Sequence, residues 1–237
     1  MIEVQELKKN FGKVEALRGI SFNVKPGIIF GLLGPNGAGK TTTIRIISTI
    51  IKPTAGKALV DGIDIDKNPD GARAKLGILY ENAGLYRRLT GEENVFYFAG
   101  LYGIDMKTAR ERMNEFFKVL EVDFARRIAG QYSKGMSQKI ALVRALIANP
   151  PIVMLDEPTA GLDVTSSVKV RESLNYLKEN GKTVIVSTHL MSEVEALCDE
   201  VVIIDRGLLV EQGSPADIKK RTNSSNLEEA FIKVVKQ

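Results

Sequence analysis

The sequence predicts an α/β fold, and three apolar runs with polar ends predict it. Ile28 to Leu33 leads into Gly34 to Thr42, GPNGAGKTT; Ile152 to Leu155 ends in Asp156-Glu157-Pro158; Thr183 to Ser187 ends in Thr188-His189. Short continuous apolar runs of this kind read as fully buried strands of an open sheet. Ligands of such a sheet sit beyond the carboxyl ends of its strands, which is where all three polar groups fall.

The first of these ends carries the most specific signal. Gly34, Gly39, Lys40 and Thr41 match the phosphate-loop pattern GxxxxGK[ST] at every fixed position, between a strand and the helical alternation of Thr42 to Ile51. Glycines let successive backbone N–H groups wrap phosphates, and the helix N-terminus adds partial positive charge. Gly34, Asn36, Gly37, Ala38, Gly39, Lys40, Thr41 and Thr42 are therefore the expected nucleotide-binding residues. Lys40 reaches the β- and γ-phosphates in such loops, and Thr41 ligates Mg²⁺. A bare glycine-rich turn has no need of Lys40 and Thr41 at fixed offsets.

Composition bounds the rest. A chain of 237 residues, 44% hydrophobic and 26% charged, buries a full core as one α/β domain with an inserted subdomain. No apolar run approaches the roughly 18 to 20 residues that span a bilayer, and Met1 to Lys9 lacks the features of a signal peptide, so a cytosolic chain is expected. The single cysteine, Cys198, excludes an internal disulfide, makes a zinc site unexpected and reads as a packed or idle thiol. Lysines and arginines are scattered, and a net charge of +4 does not argue for nucleic acid.

From the start of the chain, Met1 to Leu7 alternates as an exposed-edge strand, and Ser21 to Val24 repeats the pattern. Phe11 lies between them in a polar turn, KKNFG; locally a core residue and an adenine-stacking ring are about equally supported. Asp61-Gly62 joins Ala58 to Val60 and Ile63 to Ile65 in a hairpin, and Gly77 to Leu79 is a further strand. Thr90 to Glu93 forms a capping box opening one helix, and Ala109, Met113, Phe116, Phe117 and Leu120 make the core face of the next. Gln131 to Gln138, QYSKGMSQ, feeds a helix stopped by Pro150-Pro151; its serine and glycine suit a cap and an anion site equally. Val201 to Ile204 and Leu208 to Val210 read as a closing hairpin, and Ile218 to Lys220 and Leu227 to Lys236 as short helices.

Adjacent carboxylates at a strand end are rarely structural alone. Asp156 has the place of an acid that holds Mg²⁺, and Glu157 that of a group orienting or deprotonating a water for attack on the γ-phosphate. His189, the chain's one histidine, reaches the same sheet edge and is read as functional for that reason.

With the phosphate loop, QYSKGMSQ, IVMLDEP and STHL in that order, the whole chain resembles the nucleotide-binding subunit of an ABC transporter. Within that family it looks most like the ATPases of daunorubicin-resistance and sodium-export systems, on Gly62 to Ile65, the glycine-rich loop and LEEAF at Leu227 to Phe231. The resemblance implies a P-loop NTPase fold: a RecA-like core (1–81 and 151–215) with an N-terminal antiparallel β-subdomain, an inserted α-helical subdomain (82–150) and a short C-terminal helical extension (216–237). It makes Phe11 the adenine-stacking aromatic, Glu81 the counterpart of the Q-loop glutamine near the Mg²⁺ site, AGLD at Ala160 to Asp163 the D-loop, and His189 the switch histidine. It implies ATP and Mg²⁺ as cofactors. Its partners would be a second copy bound head to tail, with Ser133 and Gly135 of one chain meeting the ATP of the other, and separate transmembrane permease subunits. The chain would then sit peripherally on the cytoplasmic face of the membrane, with the segment Glu81 to Leu89 facing those subunits.

The sequence departs from the family pattern in four places: Phe11 stands for tyrosine, Lys134 for the first signature glycine, Met136 for the signature glutamine and Glu81 for the Q-loop glutamine. Two other readings remain, a soluble ABC-type ATPase acting on nucleic acid and a non-hydrolysing ATP-binding switch. The missing basic patch and coiled-coil arms argue against the first, and Glu157 with His189 against the second.

Overall fold

The computed structural model describes residues 1–82 and 84–235. It begins with a hairpin, β1 (Ile2–Phe11) and β2 (Val14–Val24), turned at Gly12-Lys13 with Gly12 at a positive φ of 58°. The phosphate-loop strand β3 (Ile29–Leu33) and helix α1 (Lys40–Ile47) follow, then β4 (Ala55–Val60), β5 (Ile63–Asp64), α2 (Pro69–Arg73) and β6 (Leu76–Leu79). Three helices come next, α3 (Gly91–Leu101), α4 (Met106–Val119) and α5 (Lys134–Leu146). The chain returns through β7 (Ile152–Asp156), α6 (Val164–Glu179), β8 (Thr183–Thr188), α7 (Met191–Leu197), β9 (Glu200–Asp205) and β10 (Leu208–Gly213), and closes with α8 (Pro215–Thr222) and α9 (Leu227–Val235). The expected end of the last helix at Lys236 lies outside the described residues, as does Ala83 of the Glu81 to Leu89 segment.

Two sheets form. One is antiparallel, in the order β2-β1-β4-β5; the other runs β10-β9-β3-β8-β7-β6, parallel except for β10. β1 is not an edge strand, because it pairs with β2 on one side and β4 on the other. The spacing of Ile2, Val4 and Leu7 breaks strict alternation, and the structure explains how all three reach the core. A bulge at Glu6, with φ 46°, adds the extra residue that turns Leu7 inward. Opposite this bulge a side chain at Gly56 would meet the carbonyl oxygen of Glu6 at 2.2 Å, so glycine is required there.

Alternation along the central strands divides the core. Phe30, Leu32, Met154, Ile185 and Val202 face the antiparallel sheet, while Ile29, Val153, Leu155, Val184 and Val186 face α3 to α6. Both faces of β3, β7 and β8 are thus buried, as parallel strands require. A third cluster docks Ile218, Leu227 and Ala230 of α8 and α9 on Val194, Val201 and Ile203. Burial, aided by Asp199 and Glu193, pushes the Cys198 thiol up to about 12, and it packs as an idle group. Among the described residues no helix is long and apolar enough to cross a membrane.

Several helices exceed or escape the sequence reading. α1 starts at Lys40 rather than Thr42 and ends where Thr49 adopts φ 63°. The helix α6 is capped by Asp163, whose carboxylate accepts from the Ser166 N–H at 2.8 Å, and it buries Val170, Leu174 and Leu177. The Thr90/Glu93 capping box is present, with the Glu93 N–H donating to Thr90 Oγ1 at 3.2 Å and the Thr90 N–H to Glu93 Oε2 at 2.7 Å.

Candidate functional site

Parallel register brings the polar strand ends to one edge. Leu33, the last residue before the glycine loop, pairs with Thr188, and Asp156 pairs with Ser187, so β8 sits between the loop and the two carboxylates. A cleft of about 300 Å³ opens there, lined by Ala16, residues 35–42, Glu81, Glu157, Ala160 and His189. The loop's shape depends on its glycines. Gly37 and Gly39 take positive φ of 82° and 114°, and a side chain at Gly34 would meet the Ile204 carbonyl oxygen at 2.2 Å. α1 has no side-chain N-cap and no acid in its first turn, which leaves its amino end open to an anion.

Lys40 is 5% exposed, and its ammonium donates to the Gly34 carbonyl at 2.7 Å and lies 3.4 Å from Glu157 Oε1. The Thr41 hydroxyl donates to Asp156 Oδ1 at 3.2 Å. Asp156, 2% exposed, also accepts from the Ser187 hydroxyl. Glu157 carries a positive φ of 50°, outside the comfortable range of a glutamate, and its N–H donates to the Ser187 carbonyl at 3.0 Å. Its second oxygen, Oε2, is 2.9 Å from His189 Nδ1. Lysine, carboxylate and imidazole thus converge on one cleft.

The expected residues separate into three groups. Asn36 to Thr42, Glu81, Glu157 and His189 line the cleft, with Gly34 and Asp156 directly behind it. Phe11 does not line it: it is the last residue of β1, paired with Val14, 51% exposed, with the Lys9 ammonium 5.1 Å from its ring centroid. It stands in a strand rather than a polar turn, and Ala16 is the residue of that hairpin in the lining. Ser133 and Gly135 are also outside the lining. Ser133 is exposed at the N-cap of α5, accepting from the Met136 N–H at 3.2 Å, while Gly135 is buried where a side chain would meet Ser166 Oγ at 2.6 Å. Sequence reasoning missed Ser187, which supports both carboxylate-bearing residues; its signal was a lone small polar residue beside Thr188 at the end of an apolar strand.

A glycine loop wrapped at a helix start, a lysine within it and two acids at the end of another parallel strand of the same sheet define a nucleoside-triphosphate-binding α/β protein. The family described as ABC transporter matches residues 17–160, and the chain belongs to it. Among relatives, the "ABC transporter ATP-binding protein NatA" of Bacillus subtilis is 40% identical over 221 residues, 92% of this chain and 90% of that protein. The "Daunorubicin resistance ATP-binding protein DrrA3" of Streptomyces coeruleorubidus is 34% identical over 96% of this chain and 72% of its own. Among solved structures, the MJ0796 cassette, described as a dimeric post-hydrolysis state bound to ADP and Pi, superposes with a TM-score of 0.81 at 30% identity, over 90% of this chain and 98% of the other. The chain is an ABC transporter ATP-binding subunit and an ATPase.

Proposed function

We propose that two copies of this chain close head to tail on two Mg-ATP molecules, and that closure and reopening drive separate membrane-spanning subunits. One observation carries the dimer: Ser133, the exposed cap of a 13-residue helix with no acid in its first turn, is absent from the lining of its own chain's cleft. An electropositive helix start outside its own site is suited to meet a phosphate held by another copy. Dimerisation of the MJ0796 cassette is a property of that protein and supports the reading by analogy.

The cleft's donors fit Mg²⁺. The Thr41 hydroxyl and Asp156 carboxylate, already 3.2 Å apart, are hard oxygen ligands, and the Glu81 carboxylate stands on the same lining. When bound, Mg²⁺ would offset charge on the phosphates. The protein's own groups then divide the work. Lys40 and the loop amides bind phosphate, Glu157 orients the attacking water and accepts its proton, and His189 holds Glu157 while facing the γ-phosphate. The segment 82–150 would be the unit that moves against the RecA-like core and meets the membrane subunits, which would hold the chain at the cytoplasmic face.

Gel filtration tests the dimer. With Mg-ATP the chain is expected to run as a dimer, and with ATP plus EDTA as a monomer; a monomer under both conditions rules the sandwich out. Association with a membrane protein extracted in detergent supports the transport reading, whereas retention on DNA or RNA at moderate salt moves it to nucleic acid.

Phe11 is proposed to stack on adenine from outside the lined cleft, as a half-exposed ring on the hairpin that also supplies Ala16. Phe11→Ala is expected to weaken ATP binding by roughly 1 to 3 kcal/mol and Phe11→Tyr to leave it nearly unchanged. Calorimetric titration with ATP decides it. Unchanged affinity in a folded alanine variant makes Phe11 an ordinary surface residue.

A further inference from the structure

We propose that Glu193 is a positioning residue for ATP hydrolysis, a strut that fixes the loop bearing Glu157 relative to the loop bearing His189. The inference rests on the catalytic roles proposed above and concerns what holds those two groups in register. Glu193, on α7, is 6% exposed. Its Oε2 accepts from the Thr159 hydroxyl at 2.8 Å and from the Thr188 hydroxyl at 3.2 Å. Thr159 lies two residues after Glu157, and Thr188 immediately before His189. One oxygen therefore joins the segment that follows β7 to the last residue of β8, which lead respectively from Glu157 and into His189, the pair in contact at 2.9 Å.

A buried carboxylate is an expensive way to fill space. It loses hydration, and among the described residues no lysine, arginine or histidine nitrogen lies within 4.0 Å to offset that loss. Two hydroxyl donors satisfy it, one on the loop that follows Glu157 and one at the end of β8 beside His189. Thr188 in turn accepts from the Leu190 N–H at 3.0 Å, which extends the linkage around His189 itself.

The strut is also braced from behind. Glu195, two residues further along α7, pairs with the Lys219 ammonium of α8 and accepts from the Leu227 N–H of α9 at 3.4 Å. Val194, between the two acids, is fully buried in the cluster with Ile218, Leu227 and Ala230. α7 is thereby seated on the C-terminal helices, and Glu193 projects from a supported element toward two loops. Holding reacting groups in register is worth large factors in rate, since misplacement by about 1 Å can cost about 10²-fold.

The test uses the purified full chain, with steady-state phosphate release and nucleotide affinity measured on the same preparations. Glu193→Ala is expected to lower kcat by roughly 10- to 100-fold while the ATP Kd changes by less than about threefold. Glu193→Gln keeps a carbonyl acceptor for both hydroxyls and is expected to recover most of the loss. Thr159→Val, close in size, removes one arm, and its effect should not add to that of Glu193→Ala. In a His189→Ala background Glu193→Ala should reduce the rate little further, because the group it positions is gone.

Wild-type kcat in Glu193→Ala overturns the proposal, as does a rate loss matched by an equal loss of ATP affinity. A loss of the same size in the His189→Ala background also overturns it, for it marks a general packing defect. Should Glu193→Ala fail to fold, Thr159→Val decides the matter: unchanged kcat there removes the strut. Glu157→Gln assayed in parallel reports on the catalytic reading separately, since persistent turnover in that variant defeats the role of Glu157 whatever Glu193 does.

Discussion

Glu157→Gln is expected to bind ATP at least as tightly as the parent chain and to hydrolyse it about 10² to 10⁴ times more slowly. The two effects separate because different groups produce them. In the proposed mechanism phosphate affinity comes from the amides of the loop, the amino end of α1 and Lys40, none of which the substitution removes. Glu157 contributes a negative charge 3.4 Å from Lys40 and an acceptor 2.9 Å from His189. The amide keeps the size and a carbonyl oxygen but loses the charge and basicity that a water-orienting group needs. Removing that charge from beside an incoming triphosphate also favours binding. In the proposed cycle hydrolysis is what dissolves the dimer, so the ATP-bound dimer should accumulate on gel filtration. Asp156→Asn should behave differently, weakening the response to Mg²⁺ and closure together. Turnover at the parental rate in Glu157→Gln removes it as the base and shifts the role to His189.

What the sequence made legible was the part governed by local pattern. The three apolar strands and their polar ends lie where spacing and run length put them, and the same edge carries Lys40, Glu157 and His189. The capping box at Thr90 formed because both of its hydrogen bonds are local. Features decided by tertiary packing were not legible. β1 became central only through pairing with β4, more than forty residues away, and the bulge at Glu6 was needed to bring Leu7 inward. α6 escaped notice because VTSSVKVRESLNYLKE is rich in β-branched and short polar residues, which lower helix propensity. Packing of Val170, Leu174 and Leu177, with the Asp163 cap, overrides that tendency. Glu193 looks in the sequence like any acid on a short helix, and only the fold shows it buried between two threonines. The approach of Lys134 to Gly161 was equally hidden; its ammonium would lie 2.8 Å from a side chain placed on Gly161.

Ser133→Arg is expected to leave ATP binding by the monomer intact, within about twofold, and to abolish the Mg-ATP-dependent dimer together with most of the turnover. Ser133 is exposed at the start of α5, and its hydroxyl makes a cap bond to the Met136 N–H at 3.2 Å. Losing that bond costs about 1 kcal/mol, small against the roughly 5 to 15 kcal/mol that holds a domain folded. The tightest packing at this helix start belongs to Gly135, against Ser166 and Asp163, and the substitution leaves it untouched. Arginine therefore adds bulk and charge at the surface without dismantling the fold. In the proposed sandwich this surface must approach a phosphate held by the other copy, and a long side chain there blocks backbone approach. Ser133→Ala supplies the control, removing the cap bond without the bulk, and should dimerise far better than the arginine variant. Sedimentation with and without Mg-ATP, beside nucleotide binding at concentrations too low for dimers, separates the outcomes. Loss of ATP binding by the monomeric arginine variant would place Ser133 in its own chain's site, and a normal dimer would remove it from any interface.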